Sequence, residues 1–309
     1  MSLLALFALL YVTNERAGSI QAIDTATDRV VTTARIGNRP RGMAVAPDGK
    51  RLYVAVSWWR DGKHPRTGSE AILALDAQTL KVLGRYPAGT DPECVAVSPD
   101  GQRLYLSNED AGTASIVDVR TAKQRATLVV GTEPEGVSAS PDGKWVYVTA
   151  ETSNVLSVID TKQEKTVANI LVDPRPRAVL FTRDSTRAWA TAEIGGSIML
   201  IDVKQQRVLR RIKLANARPV GLVLSPDERT LYVATGRGNS VVVVDTKAAR
   251  VLATIPVGQR VWGIALTRDG RKLYAANSLS NSISVIDSRT NRVVRTIATE
   301  DGPWGLARQ

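Results

Sequence analysis

Ser19-Ile20-Gln21-Ala22-Ile23-Asp24 is a short run of apolar and small residues that stops on an aspartate, and the same ending returns in Ser157-Val158-Ile159-Asp160 and Ser284-Val285-Ile286-Asp287. Seven aspartates close such runs: Asp24, Asp76, Asp118, Asp160, Asp202, Asp245 and Asp287, spaced by 52, 42, 42, 42, 43 and 42 residues. A constant period of this length marks one supersecondary unit used repeatedly, and several short strands per unit make that unit a propeller blade.

A second marker counts the same units. Pro-Asp-Gly or a variant recurs at Pro47-Asp48-Gly49, Pro99-Asp100-Gly101, Pro141-Asp142-Gly143, Arg183-Asp184-Ser185, Pro226-Asp227-Glu228 and Arg268-Asp269-Gly270. Proline presets the first turn dihedral, aspartate caps its own backbone and glycine accepts positive φ, so each copy reads as a tight connection between strands. The seventh copy falls where the chain is cut. Gly302-Pro303-Trp304-Gly305-Leu306-Ala307 matches Arg39-Pro40-Arg41-Gly42-Met43-Ala44 and then stops, whereas Leu10-Tyr11-Val12-Thr13-Asn14 matches the strand that follows the turn elsewhere. The reading is an all-β, seven-bladed β-propeller of four-stranded antiparallel blades. Its closing blade takes strand a from the C-terminal segment and strands b, c and d from the N-terminal one, which pairs otherwise open edges.

Alternation separates the strands within a repeat. Strand a is rich in small residues because seven inner strands crowd the axis. Strand b is Leu-Tyr-Val-like, strand c ends on the marker aspartate, and strand d is basic and apolar, as in Val293-Val294-Arg295-Thr296-Ile297. Arg29, Lys81, Arg210, Arg211 and Arg295 on strand d discourage edge pairing.

The 309 residues, 43% apolar and 5% aromatic, suffice for one large core, and no linker divides them. Residues 11–309 read as a single propeller. Residues 1–10 read as the remnant of an export signal or as a hydrophobic lead into the first strand; they are too short to span a bilayer, so no transmembrane segment is expected. The 41 basic residues minus 30 acidic ones give +11, which suits an acidic partner, nucleic acid or an anionic membrane face. Much of that excess falls on strand d and its approaches, where solvated edges account for it more simply. Cys94 is the lone cysteine and lies in strand a, which predicts a buried thiol and no disulfide.

Function is expected where the repeats stop being uniform. The turn face carries the repetitive Pro-Asp-Gly and Asp-Thr turns and is assigned structural work only. The opposite face varies from blade to blade, as loops that carry function do. Its d-to-a loops hold Arg39, Arg41, Asp91, Glu93, Glu133, Glu135, Arg175, Arg177, Arg218, Arg260, Trp262 and Trp304 near the channel mouth, and its b-to-c loops add Glu15, Glu109, Glu151 and Glu193. Arginine supplies planar paired donors for carboxylate or phosphate, and tryptophan a face for a flat or cationic ligand. The same charges would equally pair across the mouth and hold the blades in register. The carboxylates have the chemistry for calcium or acid–base work, but neighbouring arginines favour ion pairs. The one insertion, Ser57 to Glu70, carries Trp58, Trp59, Arg60 and His64 and reads as an interaction loop or a cover for the blade edge. His64 stands alone, so no metal site is expected. No Gly-x-Ser-x-Gly elbow, phosphate-binding glycine loop, dinucleotide fingerprint or Cys-His pairing occurs.

Tyr11-Val12-Thr13-Asn14, the Ser-Pro-Asp-Gly turns and the Ile-Asp-Thr endings resemble the YVTN β-propeller family over essentially the whole chain. The loop series Arg-Pro-Arg-Gly (39–42), Asp-Pro-Glu (91–93), Glu-Pro-Glu-Gly (133–136), Arg-Pro-Arg (175–177) and Gly-Gln-Arg-Val-Trp (258–262) resembles the β-propeller proteins associated with pyrroloquinoline-quinone-dependent alcohol catabolism. That resemblance implies a periplasmic, non-catalytic binding or assembly module beside a quinoprotein dehydrogenase or cytochrome c. Pyrroloquinoline quinone, a flat tricarboxylate, is one ligand it implies, and an acidic protein segment is another. More distantly the chain is similar to the haem-binding propeller of nitrite reductase and to periplasmic propellers that bind DNA. These imply an enzyme acting on a tetrapyrrole or lactone at the same mouth, or a nucleic-acid-binding propeller.

Overall fold

The computed structural model describes residues 8–58 and 70–309. Trp59, Arg60 and His64 of the insertion, and most of the expected leader, lie outside them. The described residues form seven four-stranded antiparallel sheets arranged as a seven-bladed propeller. We number the blades from the one that closes the ring. Blade 1 pairs Pro303–Arg308 with Leu9–Asn14, Ser19–Asp24 and Arg29–Arg35, so the ends of the chain share a sheet as the two part-repeats predict. Blades 2 to 7 follow in chain order, with innermost strands Pro40–Val45, Pro92–Val97, Pro134–Ala139, Pro176–Phe181, Leu222–Leu224 and Val261–Leu266. The first strand begins at Leu9, two residues before the expected start of the propeller, and Leu9 and Leu10 are both buried.

Burial follows the order of strands. Strands b and c lie between neighbouring blades on both faces and are buried nearly end to end, as in Val146–Ala150 and Ile198–Ile201; an apolar run without alternation is what such a position requires. The outer strands alternate exposed and half-buried residues. Near the axis the backbones almost touch. A Cβ placed on Gly263 would lie 2.4 Å from the Trp304 carbonyl oxygen of the next blade, which is why strand a favours small residues.

Hydroxyls join the blades across these contacts. Thr149 Oγ1 accepts from Gly136 N–H (2.8 Å) and donates to the Arg177 carbonyl of the next blade (3.2 Å). Thr13 and Thr191 repeat the link to the Arg41 and Val220 carbonyls, both at 2.8 Å. The marker aspartates cap turns. Asp76 accepts from the Thr79 and Gln78 backbone N–H groups (2.8 and 3.1 Å), and these bonds hold its carboxyl below its ordinary value.

Two irregularities recur and place the site. The ladder between strands c and d shifts register just before each marker aspartate, as at Ala22/Ile23 and Val285/Ile286. The ladder between strands a and b shifts just after the mouth in six blades, as at Pro40/Met43, Pro92/Cys94, Pro134/Val137, Pro176/Val179 and Val261/Ile264. A bulge releases residues from pairing and re-aims their side chains.

Candidate functional site

The second bulge decides which residues meet at the mouth. Arg41, Glu93, Glu135, Arg177, Trp262 and Trp304 each occupy the released position of their blade. Two residues earlier in five of these blades, Arg39, Asp91, Glu133, Arg175 and Arg260 adopt left-handed backbone with φ between 44° and 61°. Each such non-glycine residue costs about 1–3 kcal/mol and persists where the surroundings over-determine it. Part of that support is a hydrogen bond from strand b. Glu109, Glu151 and Glu193 donate their backbone N–H to the Asp91, Glu133 and Arg175 carbonyls at 2.9, 3.0 and 2.8 Å, and Glu15 does the same to Gly302 at 2.7 Å. The two sets of loop residues predicted from sequence are thereby joined into one rim.

The rim is divided by charge. On one side Arg39 and Arg41 of blade 2 reach Glu15 of blade 1 (3.4 and 2.8 Å) and pair with Asp91 and Glu93 of blade 3. Ser57 Oγ also donates to Asp91 (2.5 Å). Opposite, Arg177 of blade 5 meets Glu135 (3.0 Å) and Glu193 (2.7 Å) and pairs with Glu151, while Arg175 meets Glu151 (2.7 Å) and Glu193 (3.4 Å). Glu133 accepts from the Thr152 hydroxyl. These four arginines are therefore already committed to carboxylates within the chain. Between the two groups lies a carboxylate-rich seam in which oxygens of Glu109, Glu135 and Glu151 lie within 4.8 Å of one another, as do those of Asp91, Glu93 and Glu109. Glu93 is fully buried, and burial together with the nearby Glu135 and Glu109 raises its pKa well above the ordinary value despite Arg41 and Arg39.

The remaining sector is aromatic and basic. The Trp262 and Trp304 rings lie 5.5 Å apart at 35°. Arg41 sits 5.1 Å over Trp304, and Arg177 and Arg260 sit 5.2 and 5.4 Å over Trp262. Trp304 is buried and its indole nitrogen has no hydrogen-bond partner among the described residues, whereas Trp262 is half-buried. Arg260 is half-buried and has no carboxylate partner among the described residues. Burial, and the neighbouring Arg41, Arg237 and Arg16 set against Glu15, hold its pKa below the usual arginine value. Arg218 is exposed on the adjacent blade and likewise forms no ion pair with a described residue.

Below the rim the axis holds a cavity of about 210 Å³, with Met43, Cys94, Val137 and Ile264 among its lining residues. Sequence reading did not single out Met43, and it expected Cys94 to be buried. Cys94 lies at the wall, half-buried as a residue but with its thiol buried, in the position that Gly42, Gly136 and Gly263 hold in other blades. Burial first, then Glu135 and Glu93, push its thiol well up, so it is a poor nucleophile or metal ligand. Trp58 is half-buried at the edge of the insertion. No helix among the described residues is long and apolar enough to cross a membrane.

Comparison with known proteins agrees with this architecture. A family model described as the cytochrome D1 heme domain matches residues 190–305, and one described as a YNCE-like beta-propeller matches residues 65–140. A seven-bladed beta-propeller protein of Mycobacterium tuberculosis is 28% identical over 123 residues, or 36% of this chain. Antigen Lp49 of Leptospira interrogans is 28% identical over 106 residues, or 32% of this chain. The matched region spans only 29% and 23% of those two relatives. Among solved structures, a functionally unknown protein from Desulfotomaculum acetoxidans superposes with TM-score 0.82 at 17% identity over 97% of this chain and 98% of its own. Kuenenia stuttgartiensis hydrazine synthase superposes with TM-score 0.75 at 24% identity over 86% and 88%. Dihydro-heme d1 dehydrogenase NirN in complex with DHE gives 0.70 at 16% identity over 97% and 75%. At these identities the superpositions establish the propeller fold.

Proposed function

We propose that this chain is a periplasmic, non-catalytic binding module whose mouth holds a planar, conjugated, carboxylate-bearing molecule in the sector of Arg260, Arg218, Trp262 and Trp304. The observation that carries this reading is Arg260: a half-buried guanidinium over an indole, with no carboxylate of its own among the described residues. A carboxylate from outside would supply the missing partner, and a flat ring system beside Trp262 would cover apolar surface. Arg39, Arg41, Arg175 and Arg177 are neutralised internally and act as the frame.

A tetrapyrrole with acidic side chains and pyrroloquinoline quinone both have this chemistry. The first is favoured because the region similar to the cytochrome D1 heme domain, residues 190–305, includes all four residues of the sector. The fit is to the periphery of such a molecule. The axial cavity of about 210 Å³ is below the roughly 300 Å³ at which ligand pockets begin, too small to take such a molecule whole. The molecule would therefore lie across the mouth. A quinoprotein dehydrogenase or cytochrome c would be the partner on the same face, in keeping with the resemblance of the loop series.

Calorimetric titration with protoporphyrin IX and, separately, with pyrroloquinoline quinone tests this. One of the two is expected to saturate at one per chain. Arg260→Ala and Trp262→Ala should each weaken it about tenfold, the size of losing a charged hydrogen bond or a desolvated cation–π contact. No heat from either at millimolar concentration overturns the proposal. Binding of DNA that collapses with salt would replace it with the nucleic-acid reading.

A further inference from the structure

The opposite end of the axial channel breaks the uniformity expected of the turn face. There a cavity of about 490 Å³ is lined by Val45, Pro47, Gly49, Arg183, Arg268, Arg308 and Gln309. Val45 and Pro47 belong to blade 2, Arg183 to blade 5, Arg268 to blade 7 and Arg308 to blade 1, so the cavity straddles the axis. Its three arginines are departures from the repeat. Arg183 and Arg268 occupy the turn position that is proline in Pro47, Pro99, Pro141 and Pro226. Arg308 occupies the strand position that is apolar in the other six blades: Val45, Val97, Ala139, Phe181, Leu224 and Leu266. Neither turn geometry nor packing asks for arginine at these places.

None of the three guanidiniums pairs with a carboxylate among the described residues. The acidic groups of the neighbouring turns are occupied elsewhere. Asp184 accepts from the Thr182 hydroxyl and the Thr186 N–H (2.6 and 3.0 Å), and Asp269 from the Thr267 hydroxyl and the Arg271 N–H (2.6 and 3.1 Å). Glu228 accepts from the Arg183 backbone N–H (2.7 Å). The Gln309 amide donates to the Gly49 carbonyl (2.9 Å) and fixes the wall. Partial burial, with Arg268 and Arg183 close by, holds the Arg308 pKa below its ordinary value.

We propose that this opening is a binding site for a small phosphoryl anion, held by Arg183, Arg268 and Arg308. Three like charges facing one cavity repel each other, and a multivalent anion removes that repulsion. The arrangement favours phosphoryl over carboxylate. A planar carboxylate matches one guanidinium side-on, whereas oxygens disposed around a tetrahedral phosphorus meet donors that arrive from several blades. The site also favours a small molecule over a polymer, because the arginines of three blades line one cavity and do not follow a stripe along a surface. The cavity lies within the range of roughly 300–1,000 Å³ common for ligand pockets, enough for pyrophosphate or a phosphate ester. It is independent of the mouth, and either proposal can fail alone.

Titration of the whole chain with pyrophosphate at physiological ionic strength tests it. One saturable site per chain is expected. Arg268→Gln and Arg308→Gln should each reduce affinity about tenfold, the scale of one charge-assisted hydrogen bond. Arg289→Gln, on the same face but outside the cavity and beside Asp287 (3.4 Å), should leave affinity unchanged. Circular dichroism of each variant separates lost binding from lost folding. If a variant is unfolded, protection of Arg268 and Arg308 from phenylglyoxal by pyrophosphate in the unmutated chain gives the same reading. Absence of binding, or binding insensitive to both substitutions with no protection, overturns the proposal. So does DNA or anionic-vesicle binding that pyrophosphate does not displace.

Discussion

Arginine is placed at both ends of the axial channel, and the two ends use it in opposite ways. At the mouth Arg39, Arg41, Arg175 and Arg177 are held by carboxylates from their own and neighbouring blades. At the turn face Arg183, Arg268 and Arg308 share a cavity without any ion pair to a described residue. The abundance of arginine at the mouth therefore says little about anion binding, since most of that charge is already cancelled. What is left over identifies a candidate site: Arg260 at one end and the arginine trio at the other.

The largest expected effect tests whether the mouth arginines are structural. Arg177→Met leaves Glu135 without an ion-pair partner among the described residues and Glu151 and Glu193 with Arg175 alone, and the Arg177 side chain is only 10% exposed. Removing one member of a buried ion cluster strands charge and costs about 3–5 kcal/mol. In a large domain, where 1 kcal/mol shifts Tm by about 2–4 °C, that lowers Tm by roughly 10 °C. An unchanged Tm would mean that water already solvates these groups, and the contrast between the two ends would dissolve.

A smaller effect separates attraction from crowding within the mouth. The Glu93 pKa is raised in the folded state, by burial first and by Glu135 and Glu109 as well. The folded protein thus binds this proton more tightly than the unfolded chain. The stabilisation from the protonated form is fully present below the ordinary glutamate value of 4.5 and is lost as pH rises through the folded pKa. Glu93→Gln, which keeps the shape and cannot ionise, should gain stability relative to the parent as pH rises from 4.5 towards neutrality. Parallel denaturant titrations across that window measure the difference. A difference that stays constant with pH would show that Arg39 and Arg41 fully offset the crowding.

The fold was legible because it rests on local rules repeated seven times. The aspartate rhythm and the tight turns needed only the chain's own order, and the two part-repeats at its ends implied the closing blade that is observed. Which residues reach the mouth was also readable, because variation between repeats marked them. Their pairing was not. Arg41 and Glu93 lie 52 residues apart and meet only because a bulge releases both and the blades adjoin. The left-handed backbone of Arg39, Asp91 and Glu133 carries no sequence mark of its own, since glycine is absent there. The arginine trio at the turn face was not readable for a related reason. Arg183 and Arg268 were visible as lapses from Pro-Asp-Gly, but their convergence with Arg308 exists only once the ring closes and brings blades 5, 7 and 1 around one axis.

The smallest expected effect bears on that end. Arg308→Leu restores the residue type of the equivalent strand position in other blades, such as Leu266 and Leu224. It removes an exposed charge that forms no ion pair with a described residue, so stability should change by no more than about 0.5 kcal/mol, and towards gain. The sign of the salt response is more telling. Added sodium chloride screens exposed charges over about 10 Å at 0.1 M. It should relieve repulsion among Arg183, Arg268 and Arg308 in the parent, and do less for Arg308→Leu. The gain from the substitution, measured by denaturant unfolding, should therefore shrink as salt increases. A substitution that destabilises, or a gain indifferent to salt, would mean that the three guanidiniums do not act on one another. The two ends of the channel would then differ in composition alone.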